Sequence, residues 1–227
     1  MFRFASYLTV FILMAAGLTA QTVSTLVPGP STFNDGLAID KNGNIYAAMF
    51  LGSAVTKITP EGQTSTFATG IQSPNGLTFG PDGYLYVPSP PGSKIHRISP
   101  EGVSEEYMSI PHPGDLFFAK DGLMYVCNYD QSIIYTVDTG KNVTTLFSGS
   151  PLNGPISVRQ DSAGRLYIGN FTDGKVFRVD SGNVLTQIGD LPGWLGFMII
   201  IDNYIYATAY QNHLIYKVAL DGSGQSV

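Results

Sequence analysis

The feature that most constrains this chain is a repeat of about forty residues. The stretch SPNGLTFGPDGYLYV, at Ser73–Val87, returns as FNDGLAIDKNGNIYA, HPGDLFFAKDGLMYV, GPISVRQDSAGRLYI and, more loosely, LGFMIIIDNYIYA. The equivalent tyrosines are spaced by 40, 39, 42 and 39 residues, at Tyr46, Tyr86, Tyr125, Tyr167 and Tyr206. Repeats of this length are typical of β-propeller blades.

Each repeat supplies four strand candidates separated by turn residues. In the second copy these are Leu77–Phe79, Tyr84–Val87, Lys94–Ile98 and Val103–Tyr107. Pairs such as Asp82-Gly83 suit tight hairpins, because Gly and Asn adopt positive φ at little steric cost. The pattern predicts an all-β chain, a β-propeller with four-stranded antiparallel blades, of which five are visible.

The two ends of the repeat array leave two arrangements open. Thr22–Val27 reads as an outer strand, and the last repeat shows only three strands before Val227. An N-terminal strand that completes the last blade would give a closed ring of five blades. A truncated six-bladed propeller is the alternative. In either case residues 21–227 are predicted to form a single domain.

The first twenty residues have a different character. Arg3 precedes an apolar run at Leu8–Leu18, and Ala20 is a small residue suited to a cleavage site. The run is short for a bilayer span, so residues 1–20 are predicted to be a secretory signal peptide, with a retained anchor as the alternative. We therefore expect a secreted or periplasmic protein with no integral membrane span after cleavage.

Charge and cysteine content exclude some classes of function. The chain carries 12 Lys and Arg against 17 Asp and Glu, a net charge of −5, which argues against a nucleic-acid surface. The same balance is compatible with a cation or a neutral, sugar-like ligand. The single cysteine, Cys127, stands inside a predicted strand and is expected to be a buried packing residue.

The repeat also carries candidate ligands at its tight loops. Asp35, Asn75 and Gly114 share the position just before the inner strand, so they should face the mouth of the central channel. Asp and Asn there either bind a metal or ligand, or cap a turn. Asn128 and Asn170 share the end of the second strand, where an amide binds a cation or sugar hydroxyls or holds the next turn.

Two further side chains carry an open choice. His112 lies three residues before Asp115 and is either a general base or an exposed loop histidine. Trp194, beside Gly193, is either a stacking platform or a plug between blades.

The motifs FNDGLAIDKNGNIYAAMF, SPNGLTFGPDGYLYV and PGDLFFAKDGLMYVCNY resemble the SMP-30/gluconolactonase/LRE-like family, with broader similarity to NHL-repeat proteins. The likeness covers about residues 33–222. It implies a propeller, six-bladed in most members, whose channel mouth binds a divalent metal and hydrolyses lactones or related esters. A weaker resemblance is to streptogramin lyases, although no histidine is placed to match their active site.

The resemblance implies roles for individual residues. Asn34 would contact substrate and Asn75 would bind metal, while the aspartate expected after Pro113 is replaced by Gly114 and displaced to Asp115. The family's early glutamate has no counterpart, and its arginine is replaced by Thr32. Combining both lines of reasoning, the predicted sites are these: metal, Asp35, Asn75 and Asp115; substrate, Asn34, Asn128 and Asn170; catalysis, Asp115 and His112.

Two functions follow from these residues. The first is a lactone or ester hydrolase assisted by a divalent cation, with Ca²⁺ or Mg²⁺ favoured by oxygen ligands and Zn²⁺ or Mn²⁺ as alternatives. Its ligand would be a small lactone or sugar-like molecule. The second is a non-catalytic propeller that binds a protein, a peptide or a glycan.

Overall fold

A computed structural model of the chain describes residues 24–28 and 35–227. The described residues form five four-stranded antiparallel sheets, each made of four strands consecutive in sequence. The strands are β1 Leu37–Ile39, β2 Ile45–Ala48, β3 Ala54–Ile58, β4 Thr64–Thr69; β5 Thr78–Phe79, β6 Leu85–Ser89, β7 Lys94–Ile98, β8 Ser104–Ser109; β9 Pro113–Phe118, β10 Met124–Asn128, β11 Ile133–Val137, β12 Val143–Ser148; β13 Pro155–Gln160, β14 Leu166–Asn170, β15 Lys175–Asp180, β16 Val184–Asp190; β17 Leu195–Ile201, β18 Tyr204–Ala209, β19 Leu214–Ala219 and β20 Gln225–Ser226.

These sheets are the five blades of a β-propeller, so the predicted fold class is confirmed. The predicted strands of the second blade agree with β5–β8 to within two residues at nearly every end. Within the described residues there is no helix long and apolar enough to cross a membrane. The predicted signal peptide at residues 1–20 lies outside the described residues.

The repeated tyrosines are structural, as their alternation with apolar neighbours predicts. Four of them are buried and donate their hydroxyls to an aspartate in the turn between the first and second strands of their own blade. The pairs are Tyr46–Asp40 (3.3 Å), Tyr86–Asp82 (2.9 Å), Tyr125–Asp121 (2.8 Å) and Tyr167–Asp161 (3.1 Å). The ring packs between blades while its hydroxyl fastens the turn, which satisfies a polar group that burial would otherwise leave unpaired.

Of the two arrangements left open by the sequence, the one in which an N-terminal strand completes the last blade is not found in the described residues. The fourth strand of the last blade is β20, where Gln225 and Ser226 pair with Val218 and Lys217. Gln225 also bonds the backbone of Asp190 on the preceding blade, so the chain end supplies its own outer strand. Of the proposed N-terminal strand, residues 24–28 have no strand structure, and Leu26 lies against the Gly62 turn of the first blade.

Among the described residues, four hydrophobic clusters are buried between successive blades. The free face of the first blade and the free face of the fifth blade are more exposed than these buried faces. Leu77, on the second blade, is 5 % exposed against the first, whereas its repeat equivalent Leu37 is 62 % exposed. Ile199 and Ile215 of the fifth blade are likewise more than half exposed. The described residues supply five blades, so a six-bladed propeller is not supported.

Candidate functional site

The predicted ligand positions lie side by side at one end of the blades. The loops that precede β1, β5 and β9 run in contact, since the Gly76 amide donates to the Gly114 carbonyl at 3.2 Å. Gly36 and Gly76 have no side chain to separate these loops: a Cβ on Gly36 would lie 2.6 Å from the Gly76 Cα, and one on Gly76 would overlap the Asp115 carboxylate. Glycine is required here by close approach.

Asp115 reaches this site because its strand contains a bulge. The pairing of β9 with β10 shifts between Val126 and Asn128, so Gly114 and Asp115 together lie opposite a single residue. A bulge redirects a side chain relative to the regular pleat. The sequence places this aspartate one residue later than the family pattern, at Asp115 and not at Gly114. The bulge accommodates the extra residue, and the Asp115 carboxylate lies against Gly76.

Asp115 is neutralised by a cation from the neighbouring blade. Its carboxylate is 1 % exposed, and its Oδ2 accepts a bond of 2.6 Å from Arg159 Nη1, which also donates to the Val158 carbonyl at 2.7 Å. Burial raises the pKa of Asp115, and Arg159 opposes that rise through its charge and its hydrogen bond. The carboxylate is thus fixed in place by a partner within the chain.

Asp35 has no such partner among the described residues. Burial is the main reason why its pKa rises from 3.8 to about 7, the Gly36 amide lowers it, and the negative charge of Asp115 raises it further. Two carboxyl groups close enough to repel each other therefore share this mouth with one arginine, which contacts only the second of them.

Three oxygen atoms in this group are buried and have no hydrogen-bond partner at ordinary distance and angle: Asp35 Oδ1, Asn75 Oδ1 and Asp115 Oδ1. Buried polar atoms in folded proteins are nearly always satisfied, so three orphans on adjacent loops require an explanation. No group of three His, Cys, Asp or Glu side chains suited to a metal occurs in the described part of the chain, and the third donor here is an amide. We refer to Asp35, Asn75 and Asp115 as the mouth triad.

The two asparagines predicted to bind substrate are buried parts of the scaffold. Asn128 donates to the Pro111 carbonyl at 3.0 Å, and both of its polar atoms bond Gln131. Asn170 donates to the Pro151 carbonyl at 3.0 Å, but its Oδ1 has no partner. Both side chains hold the loop that leads into the inner strand of their own blade. The third predicted substrate contact, Asn34, lies outside the described residues, as does Thr32.

His112 lies at the same loop but faces solvent. Its side chain is 47 % exposed, and its Nδ1 lies 3.0 Å from Asp130 Oδ2. This pairing orients the ring, although none of the contacts described for His112 involves the mouth triad. Cys127 is fully buried with a raised pKa, mainly through desolvation, which agrees with the prediction of a packing residue.

Arg159 is the residue of the candidate site that sequence reasoning missed. It stands in VRQ of the fourth repeat, where the other repeats carry Ala38, Thr78, Phe117 and Ile199. The sequence did contain a signal for Arg159: it is a charged residue at an inner-strand position that is uncharged in the other four repeats. Ser157, two residues earlier, is also buried: its hydroxyl accepts a bond from the Met198 amide and lowers the pKa of Asp115.

Fold and site together define a class: a β-propeller whose channel mouth is lined by carboxylate and amide oxygens. The sequence pattern of the SMP-30/Gluconolactonase/LRE-like region matches residues 9–90, about a third of the chain. The resemblance read from the repeats is therefore confirmed over that part, which includes Asp35 and Asn75. The match begins at residue 9, inside the predicted signal peptide. No curated protein matches the chain.

Solved structures share the fold at low identity. A propeller in a nidogen/laminin complex has a TM-score of 0.74 at 14 % identity, covering 85 % of this chain and 78 % of its own. A gluconolactonase from Xanthomonas campestris has 0.72 at 13 %, covering 83 % and 73 %. Virginiamycin B lyase from Staphylococcus aureus, crystallised as an inactive variant with quinupristin, has 0.63 at 18 %, covering 86 % and 72 %. At these identities the likeness establishes the fold alone.

Proposed function

We propose that this protein is a hydrolase of lactones or related esters, assisted by a divalent cation that the mouth triad binds. The observation that supports the proposal is the set of three buried, unpartnered oxygens of Asp35, Asn75 and Asp115. The similarity to a gluconolactonase structure and the family match through Asn75 agree with it.

The donor set fits a hard cation. Two carboxylates and an amide offer oxygen only, which suits Ca²⁺ or Mg²⁺ better than Zn²⁺, whose protein sites favour His and Cys. The pKa of Asp35 is raised mainly by burial and further by the charge of Asp115, so the two carboxylates are costly to keep ionised together at this point. A bound cation would compensate both carboxylates, and it would supply a polarised substrate carbonyl and a more acidic water.

The remaining groups of the mouth would position the ester and move protons. Arg159 holds Asp115 by one nitrogen, and its side chain is 18 % exposed, so its charge stabilises negative charge that develops on a bound carbonyl oxygen. His112, oriented by Asp130, presents its second nitrogen as a general base. Asp115 stays the fixed anchor of the site.

Calorimetric titration with Ca²⁺, Mg²⁺, Mn²⁺ and Zn²⁺, followed by pH-stat assays on glucono-δ-lactone, tests the proposal. We expect binding of Ca²⁺ or Mg²⁺ and about a tenfold loss of affinity in Asn75→Ala, because one of three donors is removed. Asn42→Ala, at an exposed turn of the first blade, is the control and should behave as the parent. Absence of both binding and turnover in the parent would reject the proposal.

The second candidate function is a non-catalytic module that binds a protein, peptide or glycan. The ion pair of Asp115 with Arg159 favours it, because the chain itself already compensates the buried carboxylate. A propeller from a nidogen/laminin complex is among the similar structures. Lactone hydrolysis that disappears on chelation and returns with Ca²⁺ would exclude this reading.

We further propose that the chain is exported to a secreted or periplasmic location. The support is the apolar run at Leu8–Leu18 after Arg3, ending near Ala20. Mass spectrometry of the protein from an exporting host should give a chain that begins at Gln21. A chain that keeps residues 1–20 in the soluble fraction would contradict export.

A further inference from the structure

Four aromatic side chains form a continuous row across the third, fourth and fifth blades. The ring centroids are 5.4 Å apart for Tyr129 and Phe171, 5.2 Å for Phe171 and Trp194, and 6.2 Å for Trp194 and Tyr210. The last two rings are nearly parallel, at 20°, and the Phe171 and Trp194 rings are inclined by 31°, whereas the Tyr129 ring meets Phe171 edge to face at 89°. We call Tyr129, Phe171, Trp194 and Tyr210 the aromatic row.

The repeat places this row at the channel-mouth end of the blades. Tyr129, Phe171 and Tyr210 each directly follow the second strand of their blade, and Trp194 directly precedes the inner strand β17. Second strands end where the antiparallel inner strands begin, since Asn128 pairs with Pro113. The row therefore lies on the same face of the propeller as the mouth triad, and it contains none of its residues.

Hydrogen bonds within the fourth and fifth blades, and one between them, hold the backbone of the row. The Tyr210 amide donates to the Trp194 carbonyl at 2.7 Å, the Leu195 amide to Phe171 at 3.2 Å, and the Phe171 amide to Gly154 at 2.8 Å. The Tyr129 ring lies over Gly154, where a Cβ would come within 2.5 Å of it. Aromatic side chains on such a frame lose little conformational freedom on binding, which favours a preorganised site.

The row leaves much apolar surface in water. Tyr129 is 38 % exposed, Trp194 is 40 % and Tyr210 is 67 %, and none of the four belongs to a hydrophobic cluster between blades. Leaving apolar area exposed forgoes roughly 25 cal/mol per Å². A contiguous exposed aromatic surface with a polar rim is the mark of an interaction site rather than of packing.

The rim of the row indicates an uncharged ligand. The charged side chains that follow the rings in sequence have partners: Asp173 lies 3.6 Å from Lys175, and the exposed Asp130 lies 3.0 Å from the His112 ring. Other exposed side chains of these loops carry neutral hydroxyl and amide groups: Asn153, Thr172, Gln211 and Asn212. The negative faces of aromatic rings attract the weakly positive C–H groups of a pyranose ring, while amides and hydroxyls bond its hydroxyl groups.

We propose that the aromatic row is a binding platform for a neutral oligosaccharide, with successive sugar rings stacked on successive aromatic side chains. A peptide also contacts Trp and Tyr side chains. However, the rings of Phe171, Trp194 and Tyr210, inclined to their neighbours by 31° and 20° and accompanied by neutral amide and hydroxyl groups, match a linear chain of sugars better. The inference stands independently of the proposed hydrolase, because it uses no residue of the mouth triad.

Trp194 gives a direct measurement, because it is the only tryptophan in the chain. Its fluorescence is followed while the protein is titrated with cellohexaose, xylohexaose and mannohexaose. We expect a saturable change with at least one of them. Tyr210→Ala should weaken that binding about tenfold, since stacking on one ring is lost. Its high exposure means that its thermal unfolding should match the parent.

Tyr204→Ala is the matched control, because Tyr204 is 38 % exposed on the outer face of the fifth blade, away from the row. Its affinity should equal that of the parent. The proposal is overturned if none of the three oligosaccharides changes the fluorescence, or if Tyr204→Ala weakens binding as much as Tyr210→Ala. It is also overturned if a proline-rich decapeptide produces a saturable change and the sugars do not.

Discussion

The two carboxyl groups of the channel mouth carry the same chemistry in different surroundings. Asp115 is fully buried and is held at 2.6 Å by Arg159. Asp35 is less buried and has no cationic partner among the described residues, and its pKa rises to about 7. The difference teaches that the chain itself supplies a positive charge in the half of the mouth at Asp115. In the half at Asp35, the described residues supply none. In our proposal, a cation from solution supplies the positive charge at Asp35.

The largest expected effect comes from removing the built-in cation. Arg159→Met should lower the free energy of unfolding at pH 7 by about 4 kcal/mol, because it leaves Asp115 buried without a partner. Urea denaturation measures the loss. Lys94→Met, which breaks the exposed pair with Glu106, is the control and should cost under about 1 kcal/mol.

The double variant Asp115→Asn with Arg159→Met separates the ion pair from simple packing. Removing both charges leaves no uncompensated carboxylate, so it should recover most of the stability that Arg159→Met loses. A double variant as unstable as Arg159→Met would show that Arg159 stabilises the protein through packing and not through its charge. The difference between Asp115 and Asp35 would then not be electrostatic.

The titration of Asp35 should make the stability of the protein depend on pH. The pKa of Asp35 is higher in the folded state, so the folded protein binds the proton more tightly than the unfolded chain. With chelator present, the free energy of unfolding should therefore fall by about 3 kcal/mol as pH rises from 4 to 7. Below pH 4 both states are protonated and this contribution is complete.

Asp35→Asn should remove this decline, because the amide does not titrate. Denaturation curves at pH 4, 5, 6 and 7 test this expectation. A decline of equal size in Asp35→Asn would assign the titration to another group.

The repeat in the sequence was sufficient to predict the propeller, and also to place Asp35 and Asn75 together, because equivalent positions of adjacent blades meet at the channel. It could not predict Arg159 as the partner of Asp115, since the two lie 44 residues apart and only the packing of the third blade on the fourth joins them. Nor could it predict β20, because two residues with no hydrophobic pattern pair only by virtue of the strand beside them.

Two glycines at the mouth, Gly76 and Gly114, differ in how much space surrounds them. Gly76→Ala should destabilise the protein by about 2 kcal/mol, since the added methyl overlaps the Asp115 carboxylate that Arg159 holds in place. Gly114→Ala is a matched control on the adjoining loop, where the nearest atoms would lie 3.6 Å away. Equal unfolding midpoints for the two variants would mean that Asp115 moves freely, against the fixed anchor described above.

The smallest expected effect is a gain of affinity at Gly114. This position is equivalent to Asp35 and Asn75, and a Cβ there meets only ordinary contacts. Gly114→Asp should bind Ca²⁺ about tenfold more tightly than the parent, because it adds a third carboxylate to the mouth at the position equivalent to Asp35 and Asn75. Gly114→Ala should show no gain in the same calorimetric titration. An equal gain in both variants would assign the effect to the loop backbone, whereas no gain in either would place the cation away from the position that the repeat defines.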